Sequence, residues 1–119
     1  MLDSFLTNAN IVLQPGSSKV PYSFTFAAAS SATANDGSIP FGSTIASVVV
    51  KAFDSDGVDK TSEIIEGTPT STSLVVSVDL NYPAITGNGT YSLEFLLTLS
   101  TGAVLEVDYN RVIAKDITV

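Results

Sequence analysis

Cysteine, histidine and tryptophan are all missing from this chain of 119 residues. Without cysteine there can be no disulfide, no thiolate zinc site and no cysteine nucleophile. Without histidine the Ser-His-Asp arrangement cannot be built in its usual form. The redox compartment stays open, because a cysteine-free chain suits cytosol, virion or exterior. Positive charge is scarce too. Lys19, Lys51, Lys60, Lys115 and Arg111 stand against 12 acidic residues, for a net charge of −7. These cations are scattered, and phosphate binding needs them clustered, so nucleic acid is not expected as a partner. An anionic membrane surface is disfavoured for the same reason. The charged fraction of 14% falls below the usual quarter or so, and serine and threonine supply much of the polar surface. No apolar run approaches the roughly 20 residues that span a bilayer. Met1 to Leu6 carries neither a positive n-region nor a long apolar stretch, so it does not read as a secretory signal. The expectation is a soluble protein made in a cytoplasm.

What is present is organised around Tyr91 to Arg111, which reads as two strands folded back on each other. Ser100-Thr101-Gly102 supplies a three-residue loop, with Gly102 free to take the left-handed conformation that closes it. Folding there sets Leu99 against Ala103, Leu97 against Leu105, Phe95 against Val107, and Leu93 against Tyr109. Each pair is apolar on both sides, so turn chemistry and period-2 patterning choose the same register. Leu, Phe and Val side chains of this kind contribute about 1.5–3 kcal/mol each when fully buried. That is enough to seed a core.

The length suits one domain, with residues 1–9 as an N-terminal arm and 10–119 as the domain. Leu2, Phe5 and Leu6 in the arm could form a helical turn too short to be stable alone, or an extended segment packing on the domain or a neighbour. Ile11-Val12-Leu13 reads as a short edge strand stopped by Pro15-Gly16. Val20 to Ala27 alternates, with Val20, Tyr22, Phe24 and Phe26 on one face. Residues 28–43 read as a long exposed loop with an Asn35-Asp36-Gly37 turn, its far end tacked down by Ile39 and Phe41. Ile45 to Phe53 is a third strand, with Ala46, Val48, Val50 and Ala52 on one face. Val49 on the other face makes it look covered on both sides, hence central. Ile64 and Ile65 mark a short fourth strand before Gly67 and Pro69, and Leu74 to Leu80 a fifth. Seven short strands separated by turn signals, with no sustained helical period, predict an all-β antiparallel sandwich without a disulfide.

Gly89-Thr90-Tyr91-Ser92-Leu93 favours the immunoglobulin-like version of that sandwich. It resembles the tyrosine corner, where a Tyr near the start of strand F bonds back to main chain. Leu93 stands where antibody domains place their second cysteine, and Gly87 replaces the acid often found upstream. Strict alternation would turn Arg111 inward opposite Tyr91. A bulge near Asn110, or emergence at the sandwich edge, is expected to relieve it.

Chemistry is thinly represented. Asp54-x-Asp56-Gly57-x-Asp59 has the carboxylate density of a calcium loop but lacks the full EF-hand spacing. Asp and Gly are also ordinary turn residues, and a tight turn is the preferred reading, with a metal-dependent module as the alternative. Asn88-Gly89-Thr90 matches a glycosylation sequon but reads as a turn in a chain without a secretory signal. Glu94 and Asp108 lie opposite each other on the outward face of the hairpin, where like charges are destabilising. Nothing accompanies them for acid–base catalysis, and relief by Lys51 on the third strand is the expected structural answer. The alternative is a binding face, in which Val49, Leu96 and Val104 lie beside Glu94 and Asp108 and dock a partner carrying basic residues.

Ile45-Ala-Ser-Val-Val-Val-Lys-Ala-Phe-Asp-Ser-Asp-Gly57, Ser62-Glu-Ile-Ile-Glu-Gly-Thr-Pro69, Gly89-Thr-Tyr-Ser-Leu93 and Leu99-Ser-Thr-Gly-Ala-Val-Leu-Glu106 together resemble small Ig-like proteins encoded among the virion structural genes of tailed bacteriophages. The resemblance covers roughly residues 10–116 and rests on turns and strand patterns. It implies a non-catalytic virion component, a fibre–tail adaptor or a head or tail accessory protein, contacting other virion proteins, with a homo-oligomer in the assembly as an open alternative. It carries over no functional residue and implies no cofactor. A bacterial cell-surface Ig-like module binding protein or glycan is the alternative.

Overall fold

Alternating apolar residues need a partner layer on one side, and the chain supplies two. The computed structural model describes residues 11–34 and 36–115. Within them lie β1 (Ile11–Leu13), β2 (Val20–Thr25), β3 (Ile45–Phe53), a one-turn helix α1 (Thr61–Ile64), β4 (Ile65–Thr72), β5 (Val75–Leu80), β6 (Gly89–Leu99) and β7 (Val104–Ala114). One sheet has the order β1-β7-β6-β3 and the other β2-β5-β4. All pairings are antiparallel except β1 with β7, which is parallel. The chain is therefore an all-β protein of two sheets. The N-terminal arm expected over residues 1–9 lies outside the described residues.

The sheets share one core. Phe24 of β2 and Phe26 just beyond its end meet Phe95 of β6 at ring-centroid distances of 4.9 and 5.5 Å, and Phe24 meets Tyr109 of β7 at 5.2 Å. Tilted and edge-on contacts of this kind suit the aromatic quadrupole. Val76, Val78, Leu80, Leu93, Leu97 and Val107 complete the centre, all buried.

The β6–β7 hairpin takes the expected register, with Leu97 opposite Leu105, Phe95 opposite Val107 and Leu93 opposite Tyr109. The Leu99 N–H donates to the Ala103 carbonyl at 2.8 Å, and Gly102 has φ +92°. The expected irregularity is also present. Pairing slips between Tyr91, which faces Val112, and Leu93, which faces Tyr109. Asn110 and Arg111 thus share the space opposite Ser92, and Arg111 is only partly buried.

Four expectations are corrected. First, β3 is an edge strand, not a central one, because only β6 pairs with it. Val49 is apolar yet 53% exposed, so its hydrophobicity does not report a covering layer. Second, Ala46 does not join the inward face. A register shift between Ile45 and Ser47 buries Ile45 and exposes Ala46. Third, Ile64 and Ile65 do not form a short strand of their own. Ile64 closes α1, and β4 runs from Ile65 through Gly67 and Pro69 to Thr72. Pairing with β5 breaks between Glu66 and Thr70, and β4 is an edge strand, which together accommodate the proline. Fourth, Ile39 tacks down the 28–43 loop, but Phe41 does not, being 56% exposed.

Ile39 is held through backbone. Its N–H donates to the Ala27 carbonyl at 3.1 Å, and its carbonyl accepts from Ala29 at 2.8 Å. Gly37 makes that closure possible. A Cβ there would lie 2.4 Å from the Ala28 carbonyl carbon and 2.5 Å from the Ala29 nitrogen.

Candidate functional site

The outward face of β3, β6 and β7 collects all five residues singled out above. Side chains alternate along each strand, so the register lays them in rungs across the sheet. Lys51, Glu94 and Asp108 form one rung; Val49, Leu96 and Glu106 the next; Ser47, Thr98 and Val104 the third. Val49, Leu96 and Val104 are 53%, 40% and 61% exposed. Side chains of this kind normally prefer burial, and their grouping on one face is the informative feature.

Glu106 is a member that the sequence reading missed. It lies diagonally from Glu94 rather than directly opposite, with Leu96 as its cross-strand partner. The available signal was its position two residues from both Val104 and Asp108, which puts it on the same face. Glu94, Glu106 and Asp108 each bring a carboxylate oxygen within 4.8 Å of the others. A hard cation takes such oxygens, although three carboxylates on an open strand face provide no enclosing loop of carbonyls.

The crowding has an electrostatic consequence. Partial burial pushes the Glu94 carboxyl above its ordinary range, and the charges of Glu106 and Asp108 push the same way. Lys51, directly opposite on β3, pulls it down by less. The relief expected from Lys51 is therefore in register but incomplete. Among the described residues no Lys51–Glu94 ion pair forms, whereas Lys60 and Glu63 approach to 3.7 Å.

The other candidates are structural in their contacts. Asp54 Oδ1 accepts the N–H groups of Asp56 and Val58 at 2.9 and 3.0 Å, and Asp59 Oδ1 accepts that of Thr61 at 2.9 Å. These are Asx-type turns. Bonds from Thr61 hold the Asp59 carboxyl below its usual range. Asn88 Oδ1 accepts the Tyr82 hydroxyl at 2.7 Å, so Asn88 also serves the loop before β6. A shallow depression of about 220 Å³ is lined by Asp54, Ser55, Thr90, Tyr91, Ser92 and Asn110. Its one carboxylate is the Asp54 group already engaged in the turn.

No family model and no curated protein matches the chain. No helix among the described residues is long and apolar enough to cross a membrane.

Proposed function

We propose that the chain is a non-catalytic structural or adaptor protein of a tailed-phage virion, an Ig-like sandwich acting through protein–protein contacts. The observation that carries the docking role is the β3–β6–β7 face, where exposed Val49, Leu96 and Val104 border Glu94, Glu106 and Asp108. Apolar residues ringed by charge are what a specific, non-obligate interface presents. The Ig-like reading is supported by strand order. The strands β2, β5 and β4 stand as B, E and D do in that fold, and β3, β6 and β7 as C, F and G do. The bond from the Tyr91 hydroxyl to the Gly87 carbonyl adds to it. The virion assignment rests on the residue patterns at 45–57, 62–69, 89–93 and 99–106.

The test is mass spectrometry and antibody labelling of density-purified particles from the source culture. The reading predicts the chain at fixed copy number per particle, labelled at one location. Recovery in the cell envelope and absence from particles would favour the cell-surface module instead.

A further inference from the structure

Which backbone groups of β7 point away from β6 follows from the hairpin itself. The Leu99–Ala103 bond makes the odd-numbered β7 positions opposite Leu97 and Phe95 the hydrogen-bonded pairs. Val104, Glu106 and Asp108 are the intervening, non-bonded pairs. Their N–H and C=O groups therefore face the far edge of the sheet. Among the described residues, that edge is paired only at Val112–Ala114, by β1.

Other edges are blunted in part. The Ala52 N–H of β3 donates to Thr61 Oγ1 at 3.0 Å, and its carbonyl accepts from Lys60 at 2.7 Å. The strands β2 and β4 carry Pro21 and Pro69. The stretch Val104–Asp108 has no proline and no register shift, and Val104, Glu106 and Asp108 are exposed. An open run of backbone donors and acceptors is a template for another strand.

Charge selects among the possible occupants. A strand added there would set alternate side chains beside Glu106 and Asp108 on the outward face, with Glu94 one strand further in. Residues 1–10 hold Asp3 and no lysine or arginine, and a second copy brings a net charge of −7. The first supplies no cation to this face, and the second is repelled by it. We infer that the β7 edge at Val104–Asp108 accepts an extended segment of another protein carrying Lys or Arg at alternate positions, with apolar residues between. This names the partner chemistry of the docking face and rests on the functional reading above.

The probe is a peptide of about six residues, a usual strand length, alternating Lys with Val and blocked at both ends. Its control replaces each Lys with Glu. Both are titrated into the full chain, following anisotropy and residue-resolved amide exchange. The Lys peptide is expected to bind at least about tenfold more tightly than the Glu peptide, weakening with salt. It should slow exchange at Val104, Glu106 and Asp108. Glu106→Pro removes one edge donor without touching the β6 ladder and should abolish binding. The double change Glu106→Gln with Asp108→Asn should weaken it and keep the fold.

Equal binding of both peptides, or protection away from β7, overturns the inference. So does finding these amides already protected in the free chain and released by deleting residues 1–9, which makes the arm the occupant. Protection that grows with concentration alongside dimer mass overturns it in favour of a second copy. Particles that contain the chain while the peptide fails would leave the virion reading intact and remove only the edge.

Discussion

The Tyr91 hydroxyl donates a 2.7 Å hydrogen bond to the Gly87 carbonyl, so the start of β6 holds the loop that precedes it. The Tyr91 ring is buried, and burial raises its hydroxyl pKa. Gly87 sits at φ +84°, which turns its carbonyl toward the ring at little cost for glycine. The same loop is tied elsewhere: Thr86 donates through N–H and hydroxyl to Glu63 at 3.0 Å each. Tyr91→Phe keeps the ring and deletes the bond. Unfolding in denaturant should show a loss of about 1 kcal/mol with an unchanged slope. An unaltered midpoint would show that the bond contributes nothing net.

Glu94 and Glu63 should respond to pH with opposite signs. The Glu94 pKa is raised by burial and by Glu106 and Asp108, so the charged form is penalised in the folded state. That penalty is full above the raised pKa and disappears as pH falls below the unfolded value of about 4.3. Glu94→Gln should therefore stabilise the protein at pH 7, with the gain vanishing toward pH 4. Glu63 is lowered, by its bonds from Thr86 first. Its contribution is present above the unfolded pKa and lost as pH falls through the folded one. Glu63→Gln should lower stability at pH 7 and become neutral in acid. Thermal melts across pH check both signs.

Gly37 and Gly57 separate steric need from backbone strain. A Cβ at Gly37 collides with main chain of Ala27, Ala28 and Ala29. Gly57 has φ +81° and nothing within 4 Å of an added Cβ. Gly57→Ala should cost about 1–2 kcal/mol from the left-handed conformation alone. Gly37→Ala should cost more, about 3 kcal/mol, or detach the 28–43 loop from Ile39. Exchange of the Ala29 and Ile39 amides distinguishes detachment from global loss.

Phe95 touches both Phe24 and Phe26 and is fully buried. Phe95→Ala should remove about 3–5 kcal/mol. That is a large share of the roughly 5–15 kcal/mol by which domains are stable. Calorimetry should find the variant far less stable or unfolded, whereas Leu96→Ala, one residue on and facing solvent, should shift the melt little.

The hairpin was legible because two local signals agreed: Gly102 closes the loop, and the apolar pairs fit no other register. Arg111 announced the bulge, because a guanidinium opposite Tyr91 on the core face would have had to be desolvated. Val49 misled, since an exposed apolar side chain on an edge strand looks in sequence like one buried by a second layer. Pro69 misled in the other direction. Proline argues against a central strand, but β4 is an edge strand with a break in its pairing. Glu106 is hidden in the sequence because Leu96 stands straight across the hairpin from it, whereas long carboxylates also meet on the diagonal. The acidic cluster is thus a property of the assembled face, and no contiguous stretch displays it.

In the proposed role, the β3–β6–β7 face is the contact that holds the protein in its assembly. The triple change Val49→Ser, Leu96→Ser and Val104→Ser alters three exposed side chains and leaves the core untouched. Copy number of the chain in purified particles, after complementation with wild type or with the triple variant, reads the face directly. The account predicts a folded variant of near wild-type melting temperature that is lost from particles. A variant incorporated at wild-type copy number would contradict it.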